Sequence, residues 1–257
     1  MKIVTLVENT ALREDMLPQH GLSLYIEAAG RKILFDMGQD DTFLKNAEKL
    51  GIDLSCVDLA VLSHGHYDHG GGLGAFLEAN QKAPVYVHTD AFGQYYNGTE
   101  KYIGLNSVYK KESRLIFTKD RMEILPGMIL TDCNDLAWEF DSKGLNEKWE
   151  GVYNPDSFCH EQYLLINEGE KRILLSGCSH KGIVNIARHF QPDVLIGGFH
   201  LNKEKSSEVL QETARHLLTG NTQYYTGHCT GESQYGILQT VMADRLQPVS
   251  TGMVIEV

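Results

Sequence analysis

Apolar residues fall in short blocks along the chain, and the spacing inside each block predicts its element. "KIVTLVE" near the N-terminus reads as a first strand, and "GLSLYIEAAGRKILFDMG" reads as a hairpin with Gly30-Arg31 near its turn. In "DDTFLKNAEKLGI", Phe43, Leu44, Ala47 and Leu50 share one helical face, and Gly51 is placed to end the helix. "DLAVLS" is a nearly uninterrupted apolar run, as expected of a strand covered on both faces. "GLGAFLEAN" has helical spacing, and "APVYVH", "RLIFT", "MEIL" and "GMILTD" read as strands. The C-terminal half is more regular. Strands "EQYLLIN" and "KRILLSG" precede helix "KGIVNIARHF" and strand "PDVLIGG". A helix from about Lys203 to Leu218, strand "TQYYTG", helix "SQYGILQTVMA" and a final pair of strands follow.

Two stretches lack this rhythm. Residues 90–113 hold Tyr95, Tyr96, Tyr102 and Tyr109 with Lys110-Lys111, and residues 133–159 are polar and hold both tryptophans. Both read as insertions or lids. Strands alternate with helices, yet several strands are adjacent, which favours an α/β fold with a mixed sheet, or two sheets sandwiched between helices. The chain has no repeat, low-complexity segment or evident linker, and its 257 residues suit one domain, 1–257.

Composition narrows the function. The net charge of -11 argues against a nucleic-acid partner, while one local basic patch would still hold a small anionic molecule. The first apolar run, Ile3 to Val7, is too short for a signal-peptide core, and no segment approaches a membrane span. Five scattered cysteines without a CxxC pair argue against a disulfide framework and for a cytoplasmic location.

"VLSHGHYDHGGGL" places His64, His66, Asp68 and His69 directly after the buried strand "DLAVLS", where α/β proteins gather ligands. Three imidazoles and a carboxylate in one short loop are donors that zinc and similar metals bind. Further donors recur in the C-terminal half, each after a strand and a glycine: Cys178 and His180 in "RILLSGCSHKG", His200 in "DVLIGGFHL", His228 in "QYYTGHCTG". His160 stands before a strand, and His20 is ambiguous. Asp36 in "ILFDMG" either orients a ligand histidine or caps a turn. Asp68 and His200 are the candidate catalytic residues. Lys181, with the amides from Ser179 onward at a helix start, is the candidate substrate-binding site, suited to a phosphate. The tyrosines between Tyr95 and Tyr109 can stack on a flat ring or pack a lid.

"HGHYDH" resembles the HxHxDH signature of the metallo-β-lactamase superfamily, "ILFDMG" its strand-Asp-x-Gly segment, and "TGHCTG" its terminal Gly-His. "SGCSHKGIVNI", "GGFHL" and "TGHCTG" together resemble the 7,8-dihydropterin-6-yl-methyl-4-(β-D-ribofuranosyl)aminobenzene 5'-phosphate synthase subfamily. The resemblance implies an αβ/βα sandwich of two mixed β-sheets flanked by helices, with two divalent metal ions at one edge. These would be zinc by preference, iron or manganese otherwise. It implies His64 and His66 as ligands of the first metal, Asp68 and His69 as ligands of the second, and His228 as the last ligand. Cys178 stands where the superfamily usually has aspartate. His180 and His160 compete to be the first metal's third histidine, with His180 favoured beside Cys178.

Three functions follow from this reading. The first is a metal-dependent hydrolase that uses a metal-activated water on a phosphorylated or ester-type small molecule. The second is a transferase condensing a dihydropterin diphosphate with a ribofuranosyl-aminobenzene phosphate. The third is a non-catalytic metal or ligand sensor.

Overall fold

The computed structural model describes residues 1–257. In chain order its strands are β1 (Lys2–Val7), β2 (Ser23–Ala28), β3 (Arg31–Phe35), β4 (Leu59–Val61), β5 (Val85–His88), β6 (Tyr95–Asn97), β7 (Lys101–Tyr102), β8 (Leu115–Thr118) and β9 (Arg121–Leu125). They continue with β10 (Met128–Thr131), β11 (Leu145–Trp149), β12 (Val152–Pro155), β13 (Tyr163–Glu168), β14 (Lys171–Leu175), β15 (Val194–Ile196), β16 (Gln223–Thr226), β17 (Leu246–Pro248) and β18 (Val254–Glu256). The helices are α1 (Thr42–Lys49), α2 (Tyr67–Gly70), α3 (Leu73–Ala79), α4 (Ile183–Phe190), α5 (Ser207–Leu217) and α6 (Glu232–Met242).

Two seven-stranded sheets, ordered β18-β1-β2-β3-β4-β5-β8 and β17-β16-β15-β14-β13-β10-β9, face each other. Each is mixed: β3, β4, β5 and β8 run parallel in the first, and β14 to β17 in the second. The pleat sorts side chains by face. Along β3, Ile33 and Phe35 point into the layer between the sheets, against Ile166, Ile173 and Ile196, while Leu34 joins Phe43, Leu73 and Phe76 under α1 and α3. On the far side, Leu174 and Leu195 pack under Ile183, Ile186 and Phe190 of α4 and under Leu210 of α5. This is the αβ/βα sandwich that the resemblance implied.

Local chemistry sets several boundaries. The β2–β3 turn is Ala29-Gly30, with φ of 48° and 71°, because Arg31 pairs with Ala28 in the ladder. Two positive φ values suit the right-handed twist of a tight hairpin, and glycine adopts one at no steric cost. Helix α5 starts at Ser207, later than the apolar spacing suggests, because the Ser206 hydroxyl accepts the Val209 N–H and caps it there. Strands β8 and β9 are neighbours in sequence but lie in different sheets, as do β17 and β18.

The two weakly patterned stretches pair with each other. β6 and β7 come from 90–113 and β11 and β12 from 133–159, and they form one small sheet ordered β12-β11-β6-β7. Leu145 pairs with Asn97 and Asn146 with Tyr96. The tyrosines pack within it, with Tyr96 ring centroids 5.1 Å from Tyr153 and 5.4 Å from Tyr102. The Tyr67 N–H donates to the Ile103 carbonyl at 2.8 Å, so this sheet is tied to the loop carrying His66 and Asp68. No helix is long and apolar enough to cross a membrane.

Candidate metal centre

Parallel strands bring their C-terminal ends to one edge of a sheet, and two such edges meet here. Asp36 follows β3 and His64 follows β4 in the first sheet; Cys178 follows β14, His200 follows β15 and His228 follows β16 in the second. His64, His69, Cys178, His180 and His228 are all buried, although each carries polar atoms.

One group of donors gathers at His69. Its Nε2 lies 3.2 Å from His228 Nε2 and 3.2 Å from Cys178 Sγ. Asp68 Oδ2 is 3.4 Å from His228 Nε2 and 3.2 Å from Nε2 of the half-exposed His20. The far side of each ring is held. His69 Nδ1 donates to Asp36 Oδ2 at 2.6 Å, and His228 Nδ1 donates to Asn9 Oδ1 at 3.1 Å. The His228 backbone N–H is fixed by Glu8 Oε1 at 2.6 Å.

The second group gathers at His64. The Ser63 hydroxyl donates to Asp36 Oδ2 at 2.7 Å, so it accepts from His64 Nδ1 at 2.8 Å. That leaves His64 Nε2 as a lone pair, and it faces His180 Nε2 at 3.4 Å. Ligand atoms of His64, Cys178 and His180 lie within 4.8 Å of one another, as do those of His69, Cys178 and His228. Cys178 belongs to both sets. His66 Nε2 and His180 Nδ1 are buried without a hydrogen-bond partner, and His66 Nε2 points toward Asp156 Oδ2 at 3.9 Å.

The electrostatics suit a cation. Burial, followed by the neighbouring imidazoles, holds His64 and His180 well below their ordinary values. Burial takes His228 down to about 4 against the pull of Asp68. Burial opposes the charge of Asp68, but the hydrogen bond from His20 and the neighbouring imidazoles of His228 and His69 outweigh it and hold its carboxyl well below the usual carboxylate range. At His69 burial is likewise outweighed, here by Asp36, and its pKa rises to about 9. The converging lone pairs and carboxylates thus favour positive charge at the His69–His228–Cys178 position. A divalent metal ion supplies that charge, and the neutral imidazoles are in the form that binds one. The donor set therefore fits a metal.

Two expectations need correction. Lys181 does not face the cleft. It is buried, and its Nζ donates to the Asp132 carbonyl and to Asn134 Oδ1, both at 2.6 Å, because a buried ammonium needs acceptors. The amides after Ser179 are also engaged: the His180 and Lys181 N–H groups donate to the two oxygens of Glu161, at 2.7 and 3.1 Å. That fully buried carboxylate occupies the place reserved for a phosphate. His160 has both ring nitrogens occupied, Nδ1 accepting from the Gly65 N–H at 2.9 Å and Nε2 facing Asp156 Oδ2 at 3.3 Å. Asp36 orients ligand-competent side chains, as one of its two readings had it.

His200 lines the cleft with its ring centroid 4.2 Å from that of His180. Burial, then Lys143, pushes its pKa down to about 3. Glu8, Asn9, Ser63, Asp156 and Glu161 carried no sequence signal of a role. Their only trace is a polar residue at the end of an apolar run, as with Glu8 after β1 and Ser63 after β4. His66, Asp68, Cys178, His180, His200 and His228 open onto a cleft of about 120 Å³, also lined by Tyr67, Asn97, Lys101, Asn202 and Lys203.

Residues 17–215 match the metallo-beta-lactamase superfamily. Uncharacterized protein MJ0448 of Methanocaldococcus jannaschii is 31% identical over 238 residues, 89% of this chain and 90% of that one. The 7,8-dihydropterin-6-methyl-4-(beta-D-ribofuranosyl)-aminobenzene-5'-phosphate synthase of the same organism is 28% identical, over 100% of this chain and 96% of its own. The crystal structure of Tm1679, a metal-dependent hydrolase of the beta-lactamase superfamily, matches with a TM-score of 0.85 at 30% identity, covering 100% of this chain and 99% of that one. A family match over most of the chain, relatives of equal length and a donor cluster at the paired sheet edges agree: the chain belongs to the metallo-beta-lactamase superfamily.

Proposed function

We propose that the chain is a metal-dependent hydrolase of a small phosphorylated or ester-type molecule, acting through two metal ions and an activated water. The supporting observation is the convergence of two donor sets on Cys178 at the floor of an open cleft. His64, His66 and His180 with Cys178 would hold one ion, and Asp68, His69 and His228 with Cys178 the other. A sulfur donor among imidazoles favours zinc, and the histidines and carboxylate also accept iron or manganese. Bound there, the metals would lower the pKa of a water to about 7 and polarise the carbonyl or phosphoryl group under attack.

The protein supplies the remainder. Asp68 is the only carboxylate lining the cleft, and it can accept the proton of the attacking water, with His20 leading from it toward solvent. His200, kept neutral by burial, can donate a hydrogen bond from its ring to a substrate oxygen. Asp36, Ser63 and Asn9 hold the imidazoles in their tautomers, and Glu8 fixes the His228 backbone. The five free thiols support a reducing, cytoplasmic setting.

Elemental analysis of the purified protein, followed by turnover of phosphoesters and lactones in ¹⁸O-labelled water, tests the reading. We expect bound metal and label in the product. Metal-free protein without turnover after reconstitution overturns it. The transferase reading is supported by the synthase relative that aligns along the whole chain. Consumption of a dihydropterin diphosphate and an aryl acceptor, with no label entering the joined product, would decide for it. The third-histidine assignment has its own test. His180→Gln should lower bound metal by about one ion per chain, because a tetrahedral site tolerates few losses. His160→Gln should leave the stoichiometry unchanged, and the reverse result reassigns the ligand.

A further inference from the structure

The chain carries 34 acidic residues against 23 lysines and arginines, yet the mouth of the cleft has the opposite sign. Lys101 and Lys203 both line it, and the only carboxylate that does so, Asp68, is occupied by His20 and His228. Neither lysine is paired with a carboxylate. Lys101 Nζ lies 3.3 Å from the Tyr67 hydroxyl and 5.2 Å over its ring, and Lys203 Nζ donates to the Lys143 carbonyl at 2.6 Å. An unpaired ammonium is a common surface feature. Two of them at one cleft, in a chain with a surplus of acids, are a local field that attracts anions.

The two lysines are delivered by different parts of the fold. Lys101 opposes Asn97 across the β6–β7 ladder, and both residues line the cleft. That ladder is fixed to the metal loop through the Tyr67–Ile103 hydrogen bond and the His66–Gly104 bridge. Lys203 and Asn202 follow His200 from the second sheet, and the Asn202 N–H donates to the Cys229 carbonyl at 3.1 Å, which fixes the backbone there. Two ammonium groups and two side-chain amides thus stand around one opening.

We propose that Lys101 and Lys203, with Asn97 and Asn202, form a subsite for a phosphate or diphosphate group of the substrate. No arginine lines the cleft, so the planar two-pronged grip that favours a carboxylate is missing, whereas point-charge ammonium donors around a tetrahedral anion suit phosphate. This rests on the hydrolase reading only for the location of the reacting bond; the binding itself does not require turnover. Phosphate recognition thus falls to the mouth of the cleft and not to Lys181 and the start of α4.

The test is calorimetric titration of the metal-loaded protein with inorganic phosphate, pyrophosphate and acetate, for wild type, K101A, K203A and the double variant, with metal content and circular dichroism measured on each. We expect pyrophosphate to bind more tightly than acetate. Each alanine should weaken it about tenfold, the worth of one charge-assisted hydrogen bond, and K101R and K203R should recover part of the loss. The affinity should also fall with added salt, less steeply in the double variant. Pyrophosphate binding by the double variant that equals wild type, at equal metal content, overturns the subsite even if phosphoester turnover is found. Lysine-dependent pyrophosphate binding without hydrolysis of any ester keeps the subsite and sinks the hydrolase reading instead.

Discussion

Replacing His69 with alanine is expected to reduce turnover on the order of a thousandfold and to lower bound metal with it. The ring stands where the two halves of the centre meet, its Nε2 3.2 Å from both His228 Nε2 and Cys178 Sγ. Removing it takes away a donor and also unseats the buried Asp36 carboxylate that holds it. Metal-assisted polarisation and water activation are worth several kcal/mol of barrier, and each 1.36 kcal/mol is tenfold in rate. Steady-state kinetics and elemental analysis on one preparation measure both effects. His189→Ala, an exposed histidine on α4 remote from this cluster, serves as the control and should change neither. Full activity and full metal content in His69→Ala would remove the centre from the mechanism.

Asp36→Ala is expected to be the most destabilising single change near the site, by about 3–5 kcal/mol. One fully buried carboxylate accepts from the Ser63 N–H, the Ser63 hydroxyl and His69 Nδ1, at 2.7, 2.7 and 2.6 Å. Its loss strands three buried donors and frees two rings, those of His69 and, through Ser63, His64. Denaturant unfolding after chelation reads the stability without the metal's contribution. Metal titration of the folded protein then reads the loss of orientation, on the order of 10–100-fold in affinity. Asp36→Asn separates backbone from side chain. The position has φ 59°, which asparagine tolerates better than alanine, so the amide variant should regain part of the stability while metal affinity stays low. Equal stability of Asp36→Ala and wild type would show that the three hydrogen bonds are replaced by water.

Much of the fold was legible because most blocks keep one period. The unbroken apolar run around β4 and the i, i+3, i+4, i+7 spacing of Ile183, Ile186, Ala187 and Phe190 in α4 each identify an element without outside help. The donors were legible for a related reason: a metal-competent side chain after a strand and a glycine is a local pattern, repeated at Cys178, His200 and His228. The small sheet was not legible. Its strands are two to five residues long and mostly not buried, so they carry little apolar alternation, and the β6–β11 pairing that joins its two hairpins spans some fifty residues. Lys181 misled because a lysine near a helix start looks alike from the sequence whether its ammonium faces a ligand or a buried carbonyl.

The sequence by itself determined most of the strands and helices of the two large sheets and their flanking layers, that histidines, an aspartate and a cysteine gather at strand ends, and which superfamily the chain resembles. These are properties of residue type and near-neighbour spacing. Only the tertiary structure decided which imidazoles face one another, that Asp36, Asn9 and Glu161 hold them in place, and that Lys101 and Lys203 stand at the mouth of the cleft while Lys181 is spent inside. Those facts depend on contacts between residues as far as 219 positions apart, and hydrogen-bond direction and burial exist only once the two sheets have closed on each other.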